Sequence, residues 1–198
     1  MKATVDVQYA STHNPLPRQE DIQAWVDATF AFIAELCDAS NEDQRKNGYL
    51  GARKIKVPRK PAQAPKPIPF QSGREALACS EAELTVRIVD EDEGIALNKK
   101  YRGQEMATNV LSFPCVLPTV LDLNLLGDIV ICAPVVKKEI ILQRNRPYNA
   151  HWAHMVVHGV LHLLGYDHQS AIEARYMESM ETAVLTHLGF SDPYRNLC

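Results

Sequence analysis

The chain has 198 residues, of which 46% are hydrophobic and 23% are charged, and its formal net charge is −3. A chain of this length buries one substantial core, so we expect a single domain spanning residues 1–198. No apolar stretch approaches the roughly 18 residues of a membrane span, and the start MKATVDVQYA has no apolar signal core. These features argue against a membrane protein and predict a cytoplasmic location, which the 5 cysteines without a CxxC pair also favour.

The spacing of apolar residues predicts a mixed series of strands and helices. Alternation of apolar and polar residues is typical of strands, and recurrence every three or four residues is typical of helices. In chain order the sequence predicts a strand at 3–9, a helix at 18–39, a strand at 84–90, a short helix at 94–101, strands at 108–114 and 126–134, and helices at 135–143, 150–164 and 170–188. We therefore expect an α/β (α+β) fold in which a mixed four-stranded sheet is packed with about five helices.

The segment at about 41–73 differs in composition from the rest of the chain. It holds eight Lys or Arg residues against two acidic ones, which gives +6, and five of the chain's twelve prolines. Prolines at this density exclude a helix or a central strand over residues 58–69 and predict an extended loop. The segment is either a solvated insertion or a basic arm that follows a phosphate backbone.

Five of the 7 histidines lie within residues 151–168. Three of them, His158, His162 and His168, form the pattern HxxxHxxGxxH with Gly165 at the glycine position. Two histidines four residues apart point the same way from a helix. A glycine can adopt the positive φ that ends the helix and turns the chain back, which brings in a third histidine. The spacing therefore predicts a site with three nitrogen ligands.

Three imidazoles with an open fourth position are typical of a catalytic zinc site, because a structural zinc is normally closed by a fourth protein ligand. No cysteine lies between Cys132 and Cys198 to close it. We predict zinc, although imidazole also suits nickel, copper and iron. A zinc protease of the HExxH kind needs a glutamate directly after the first histidine, and this chain has Gly159 there. A peptidase or other zinc hydrolase would need a carboxylate from elsewhere in the chain.

Three blocks of the sequence resemble the bacterial YbeY family. They are HGVLHLLGYDH at 158–168, NKKYRGQEMATNVLSFP at 98–114 and LGDIVIC at 126–132. With the weaker strand and helix patterns, the resemblance spans most of residues 1–37 and 77–190. It implies a zincin-like metal helix and a metal-dependent, single-strand-specific endoribonuclease. Such an enzyme acts in maturation of the 3′ end of 16S ribosomal RNA and in ribosome quality control. The implied partners are the small ribosomal subunit, one of its proteins and an assembly GTPase.

The resemblance also implies roles for individual residues. His158, His162 and His168 would bind the metal, and Arg102, in the YRG triplet, would be the arginine needed for activity. His158 and Arg102 are thus the predicted catalytic residues. An arginine suits this role because its planar fork pairs with two phosphate oxygens and stabilises the charge that develops during cleavage. The metal would lower the pKa of a bound water and polarise a phosphoryl oxygen.

The sequence leaves the general base open. Asp167 and Asp128 are candidates, but Asp167 could equally orient a histidine ligand and Asp128 could cap or bind backbone. His151 and His154 share a helical face with His158, so they either line a substrate groove or pack near the start of the helix.

Two features depart from the family pattern: the sequence QEMA at 104–107, where a lysine, an acidic residue and a proline are usual, and the basic segment at 41–73. Glu105 keeps the acid of the first motif. An alternative function is a zinc-stabilised ribosome-assembly factor that binds RNA and protein without cutting. The fourth coordination position distinguishes the two functions, because only a nuclease needs that position open to water.

Overall fold

The structure is a computed structural model that describes residues 2–38, 49–50, 55–56, 81–115, 125–143 and 147–195. In chain order its elements are β1 (Lys2–Tyr9), α1 (Gln19–Asp38), β2 (Tyr49–Leu50), β3 (Ile55–Lys56), β4 (Glu81–Val89), α2 (Glu91–Arg102), β5 (Val110–Pro114), β6 (Leu125–Cys132), α3 (Ala133–Leu142), α4 (Tyr148–Leu163) and α5 (Ala171–His187). The predicted α/β fold, with a mixed four-stranded sheet and five helices, is confirmed.

The main sheet has the strand order β1-β4-β6-β5. Strands β1, β4 and β6 are parallel to one another, and β5 runs antiparallel to β6 at the edge of the sheet. Parallel neighbours require a long crossover between them, and antiparallel neighbours do not. Strand β5 is the reversed edge strand, and it pairs Leu111 with Val130 and Ser112 with Ile129.

Helices cover both faces of this sheet. On one face α1 and α4 pack directly on the strands and α5 packs on α4, which joins Phe30, Ile129, Val156 and Val184 in one core. On the other face α2 covers a smaller cluster around Val89, Leu111, Val130 and Cys132. Strand β6 serves both clusters because successive side chains of a strand point to opposite faces. Ile129 and Ile131 face α4, whereas Val130 and Cys132 face α2.

Helix α4 lies unusually close to the sheet at Gly159. A Cβ atom at this position would lie 2.8 Å from Cγ2 and 2.9 Å from Cδ1 of Ile129. Real Cβ atoms essentially never make contacts this short, so only glycine fits without a shift of the helix or of the Ile129 side chain. The position that directly follows His158 therefore faces the sheet.

The variant Gly159→Ala is expected to lower the free energy of unfolding by about 1–2 kcal/mol, because overpacking against Ile129 outweighs the better helix propensity of alanine. Chemical denaturation monitored by circular dichroism measures this difference. Alanine at Gly189, where a Cβ would meet no atom within 4 Å, is the comparison for backbone strain alone because Gly189 has φ +88. A Gly159→Ala protein as stable as the unaltered one would contradict the close packing.

The observed elements lie within a few residues of the predicted ones. The largest differences are at two starts: β4 begins at Glu81 rather than at residue 84, and α2 begins at Glu91 rather than at residue 94. The first turn of α2 consists of Glu91, Asp92 and Glu93, whose charges stabilise the amino end of a helix although they carry no apolar period. The extended loop predicted at 58–69 lies outside the described residues. Within residues 41–73 only β2 and β3 are described, and they pair antiparallel. No helix in the described part of the chain is long and apolar enough to cross a membrane.

Candidate metal centre

The end of α4 carries the three clustered histidines. The helix stops at Leu163, and Gly165 takes φ +86, as its place in the sequence predicted. The backbone N–H of Gly165 donates to the His162 carbonyl at 2.9 Å, and that of Tyr166 donates to the Leu161 carbonyl at 3.0 Å. These two bonds form the Schellman motif that reverses a chain after a helix. The reversal brings His168 back beside the helix.

His158, His162 and His168 are brought together as predicted. Each offers a ring nitrogen, and the three nitrogens lie within 4.8 Å of one another. The Nε2 atoms of His158 and His162 are 3.1 Å apart. Zinc–nitrogen bonds of about 2.0–2.1 Å in a tetrahedral site place two ligand nitrogens about 3.3–3.4 Å apart. The observed separation therefore suits a shared metal ion.

Hydrogen bonds to the other ring nitrogens fix the orientation of two of these rings. His158 Nδ1 donates to Glu181 Oε1 at 2.7 Å, and His162 Nδ1 donates to the Tyr166 carbonyl at 2.9 Å. A carboxylate and a carbonyl only accept, so both Nδ1 atoms carry the proton and both Nε2 atoms present lone pairs. Two lone pairs that face each other at 3.1 Å repel unless a cation lies between them. This donor set fits a metal ion.

The electrostatics of the cluster favour the forms that bind a metal. Burial, and secondarily the neighbouring His158 and His168, lower the pKa of His162 to about 4, so this imidazole is neutral at neutral pH. Burial acts to raise the pKa of Glu181, but hydrogen bonds from His154 and His158 outweigh it and bring the pKa to about 2. Glu181 is therefore an ionised carboxylate behind His158. A carboxylate in that place increases the basicity of a ligand histidine.

The site is open to solvent on one side. His158 and His162 are partly buried and His168 is exposed. In the part of the chain that the structure describes, no further histidine, cysteine or carboxylate side chain joins the group of three. Three protein ligands at a surface leave a coordination position for water, which is the arrangement of catalytic zinc sites.

Residues 67–189 of the chain match the family model described as endoribonuclease YbeY. The chain belongs to the YbeY endoribonuclease family. The match contains the three histidines and Arg102, and membership of this family supports an endoribonuclease that acts in ribosomal RNA processing. The chain is also similar to a protein of known solution structure, TM1509 from Thermotoga maritima. That likeness has 18% identity and a TM-score of 0.44, and it covers 98% of this chain and 100% of the other.

Arg102, the other predicted catalytic residue of this YbeY-family chain, is the last residue of α2 and is exposed. Its neighbour Tyr101 packs edge to face on Phe113 of β5, with the ring centroids 4.8 Å apart. Helix α4 packs on the other face of β5. The helices that carry the arginine and the histidines thus pack on opposite faces of β5. Within the described residues Arg102 forms no hydrogen bond or ion pair, which leaves its guanidinium available to a ligand.

The two carboxylates considered as a general base lie in different places, and the nearer is Asp167, whose charge acts to raise the pKa of His162. Asp167 accepts hydrogen bonds from the backbone N–H of His168 at 2.8 Å and from the side chain of Gln169 at 2.7 Å, so it orders the loop that carries His168. Asp128 is the strand neighbour of Ile129, whose side chain faces α4. The Asp128 side chain therefore points to the opposite face of the sheet from the histidines.

The two other histidines of α4 are held by buried or partly buried carboxylates. His151 is 3% exposed and pairs with Glu139 of α3 at 2.7 Å. His154 pairs with Glu181 at 2.9 Å. Their packing role is the better supported of the two alternatives, because both rings are turned toward protein partners.

Glu181 is the member of the site that the sequence did not identify. It lies on α5, is 1% exposed, and binds His154, His158 and the Tyr194 hydroxyl. The available signal was a charged residue on the apolar face that also carries Met177 and Val184. A carboxylate on such a face needs buried partners, and histidines are the obvious ones in this chain.

The variant Glu181→Gln is expected to weaken zinc binding by about 10- to 100-fold, because glutamine neither raises the basicity of His158 nor compensates the charge of the ion. Competition with a chromophoric chelator measures the affinity. Glu178→Gln, at an exposed position of the same helix, is the matched control and should bind zinc normally. Equal affinities of the two variants would remove Glu181 from the site.

Proposed function

We propose that this YbeY-family chain is a zinc-dependent, single-strand-specific endoribonuclease. Its substrate would be ribosomal RNA, with roles in 16S 3′-end maturation and in ribosome quality control. The single observation that carries the metal dependence is the pair of facing Nε2 lone pairs of His158 and His162, 3.1 Å apart, at a surface where His168 completes the ligand set. Family membership supplies the substrate class.

The positions of the residues support a separate role for each of them. His158, His162 and His168 would hold the ion, and Glu181 would keep the His158 ring turned toward it. Bound zinc would supply a Lewis acid that lowers the pKa of water and polarises a phosphoryl oxygen. Arg102 would bind the same phosphate and offset the charge that develops on it. Nickel or another divalent ion would fit the same nitrogens.

We infer one domain over residues 1–198 with a basic insertion at 41–73, located in the cytoplasm. Its partners would be the small ribosomal subunit, a protein of that subunit and an assembly GTPase. These partners come from the family resemblance alone.

The open coordination position favours a nuclease over a non-catalytic assembly factor, because a purely structural ion needs no access to water. The surroundings of His158 disfavour a peptidase. Residue 159 is a glycine packed against Ile129 of the sheet, so the glutamate that a peptidase uses there as general base is absent. Glu181 binds His158 through Nδ1, on the side of the ring away from the proposed ion.

A cleavage assay with matched substrates tests this function. One labelled RNA is offered to the purified protein as a single strand and annealed to its complement, before and after chelation, and after zinc, nickel or magnesium is returned. We expect cleavage of the single strand, loss of cleavage on chelation and recovery with zinc. His187→Ala, which alters an exposed histidine at the end of α5, should behave normally. Equal cleavage of single strand and duplex, or cleavage that survives chelation, would contradict the proposal.

A further inference from the structure

The carboxyl end of α2 and the turn after it form an exposed basic segment at residues 99–106. Within four residues it carries Lys99, Lys100 and Arg102, followed by one acid, Glu105, which pairs with Lys99 at 2.7 Å. The chain as a whole carries −3, and because residues 41–73 account for +6, all other residues together carry −9. Residues 99–106, with three cations and one acid, carry +2 within this acidic set, so they attract an RNA backbone where their surroundings in the set do not.

An aromatic ring lies among these cations. Tyr101 is 57% exposed, which is high for an aromatic residue in a folded domain. Phe113 of β5 supports the ring edge to face at an interplanar angle of 61°. The Lys100 ammonium lies 4.9 Å from the ring centroid. The ring is thus fixed in direction, largely open to solvent and flanked in sequence by two positive side chains.

We propose that Tyr101 is a stacking platform for an unpaired RNA base, with Lys100 and Arg102 binding the phosphates on either side of that nucleotide. Aromatic rings combined with cations are the usual means of binding single strands without regard to sequence, because every base has a π-face. The ammonium of Lys100 over the ring is an exposed contact that a base can displace. The proposal rests on the proposed function and extends it by naming a base subsite.

The subsite gives a physical reason for single-strand specificity. A base within a duplex is already stacked and paired, so it reaches Tyr101 only after an energetic cost that a free strand does not pay. Phe113 connects the subsite to the rest of the site, since β5 contacts α2 through this ring on one face and α4 on the other.

The test uses zinc-bound, full-length protein and a single-stranded RNA that carries 2-aminopurine, whose fluorescence is quenched by stacking. Stopped-flow mixing records the quench before cleavage. Tyr101→Phe keeps a stacking ring, whereas Tyr101→Leu keeps apolar contact with Phe113 without one. We expect the Tyr101→Phe variant to behave like the unaltered protein. The Tyr101→Leu variant should lose the fluorescence quench and bind the single strand roughly tenfold more weakly. Its KM should rise more than its kcat falls. Met106→Ala, at a residue 65% exposed in the same segment, is the control and should retain the quench.

Each outcome bears on the proposal. If the Tyr101→Leu variant quenches the 2-aminopurine fluorescence, binds RNA and cleaves it like the unaltered protein, the proposed base subsite is overturned and the nuclease function stands. If Leu weakens single-strand and duplex binding equally and leaves the quench in place, Tyr101 acts through general contact, and the stacking role is overturned. If the unaltered protein neither binds nor cleaves RNA, both the subsite and the proposed function fail.

Discussion

Replacing Arg102 with alanine is expected to lower kcat/KM for RNA cleavage by about 10²- to 10³-fold, the effect of removing one preorganised donor to a developing negative charge. Zinc content and thermal stability should not change. The structural reason is that Arg102 ends α2 at the surface and forms no hydrogen bond or ion pair within the described residues. The variant therefore removes a ligand group and no support for the fold. Cleavage rates and metal analysis on the same preparation measure both effects.

Two further variants control for charge. Arg102→Lys keeps the charge but loses the planar fork, so its activity should lie between those of the unaltered protein and the alanine variant. Lys99→Ala removes an exposed cation already paired with Glu105, so it should lower the cleavage rate only slightly. This effect should decrease as the salt concentration rises. Full turnover in Arg102→Ala would exclude this arginine from the catalytic machinery.

Removal of a histidine ligand is expected to abolish both zinc binding and cleavage. Of the variants His158→Ala and His162→Ala, the second disturbs the fold less, because the group that loses its hydrogen bond is only the backbone carbonyl of Tyr166. His158→Ala removes a hydrogen bond that the buried Glu181 accepts, so it should in addition lower the free energy of unfolding by about 1–3 kcal/mol. Zinc binding stabilises a folded protein in proportion to its affinity, so zinc should raise the Tm of the unaltered protein and not of either variant.

Metal analysis, a cleavage assay and thermal denaturation with and without zinc measure these effects together. His187→Ala serves as the control histidine, since His187 is exposed at the end of α5. A His162→Ala protein that retains stoichiometric zinc and full activity would mean that other residues hold the ion.

The sequence predicted the elements and the histidine cluster because both depend on local spacing. Apolar periodicity is a property of neighbouring residues, and the His158–His162 pair with Gly165 needs only one helix and one turn. These parts of the structure follow from contacts a few residues apart, so they could be derived before the tertiary arrangement was known.

Glu181 could not be derived in the same way. It meets His158 across two helices, 23 residues apart in sequence, and only the packing of α5 on α4 brings them together. The same holds for His151, whose partner Glu139 lies on α3. The helical face that these histidines share was predicted correctly, but the direction of each ring depends on carboxylates contributed by other elements.

The position of Arg102 relative to the histidines also needed the tertiary structure. Its motif precedes the edge strand in sequence, which does not determine the face of the sheet on which α2 lies. The structure places α2 and α4 on opposite faces, with β5 between them. The relative position of the two helices is therefore a consequence of topology rather than of any single motif.

We propose that one zinc ion, held by His158, His162 and His168, makes this chain a ribonuclease. The most direct measurement adds zinc in steps to zinc-free protein and follows cleavage of a labelled single-stranded RNA at each step. This zinc dependence predicts that the cleavage rate rises in proportion to bound zinc and levels off at one equivalent per chain. Full cleavage before any zinc is added, or a protein that binds one equivalent and leaves the RNA intact, would contradict it.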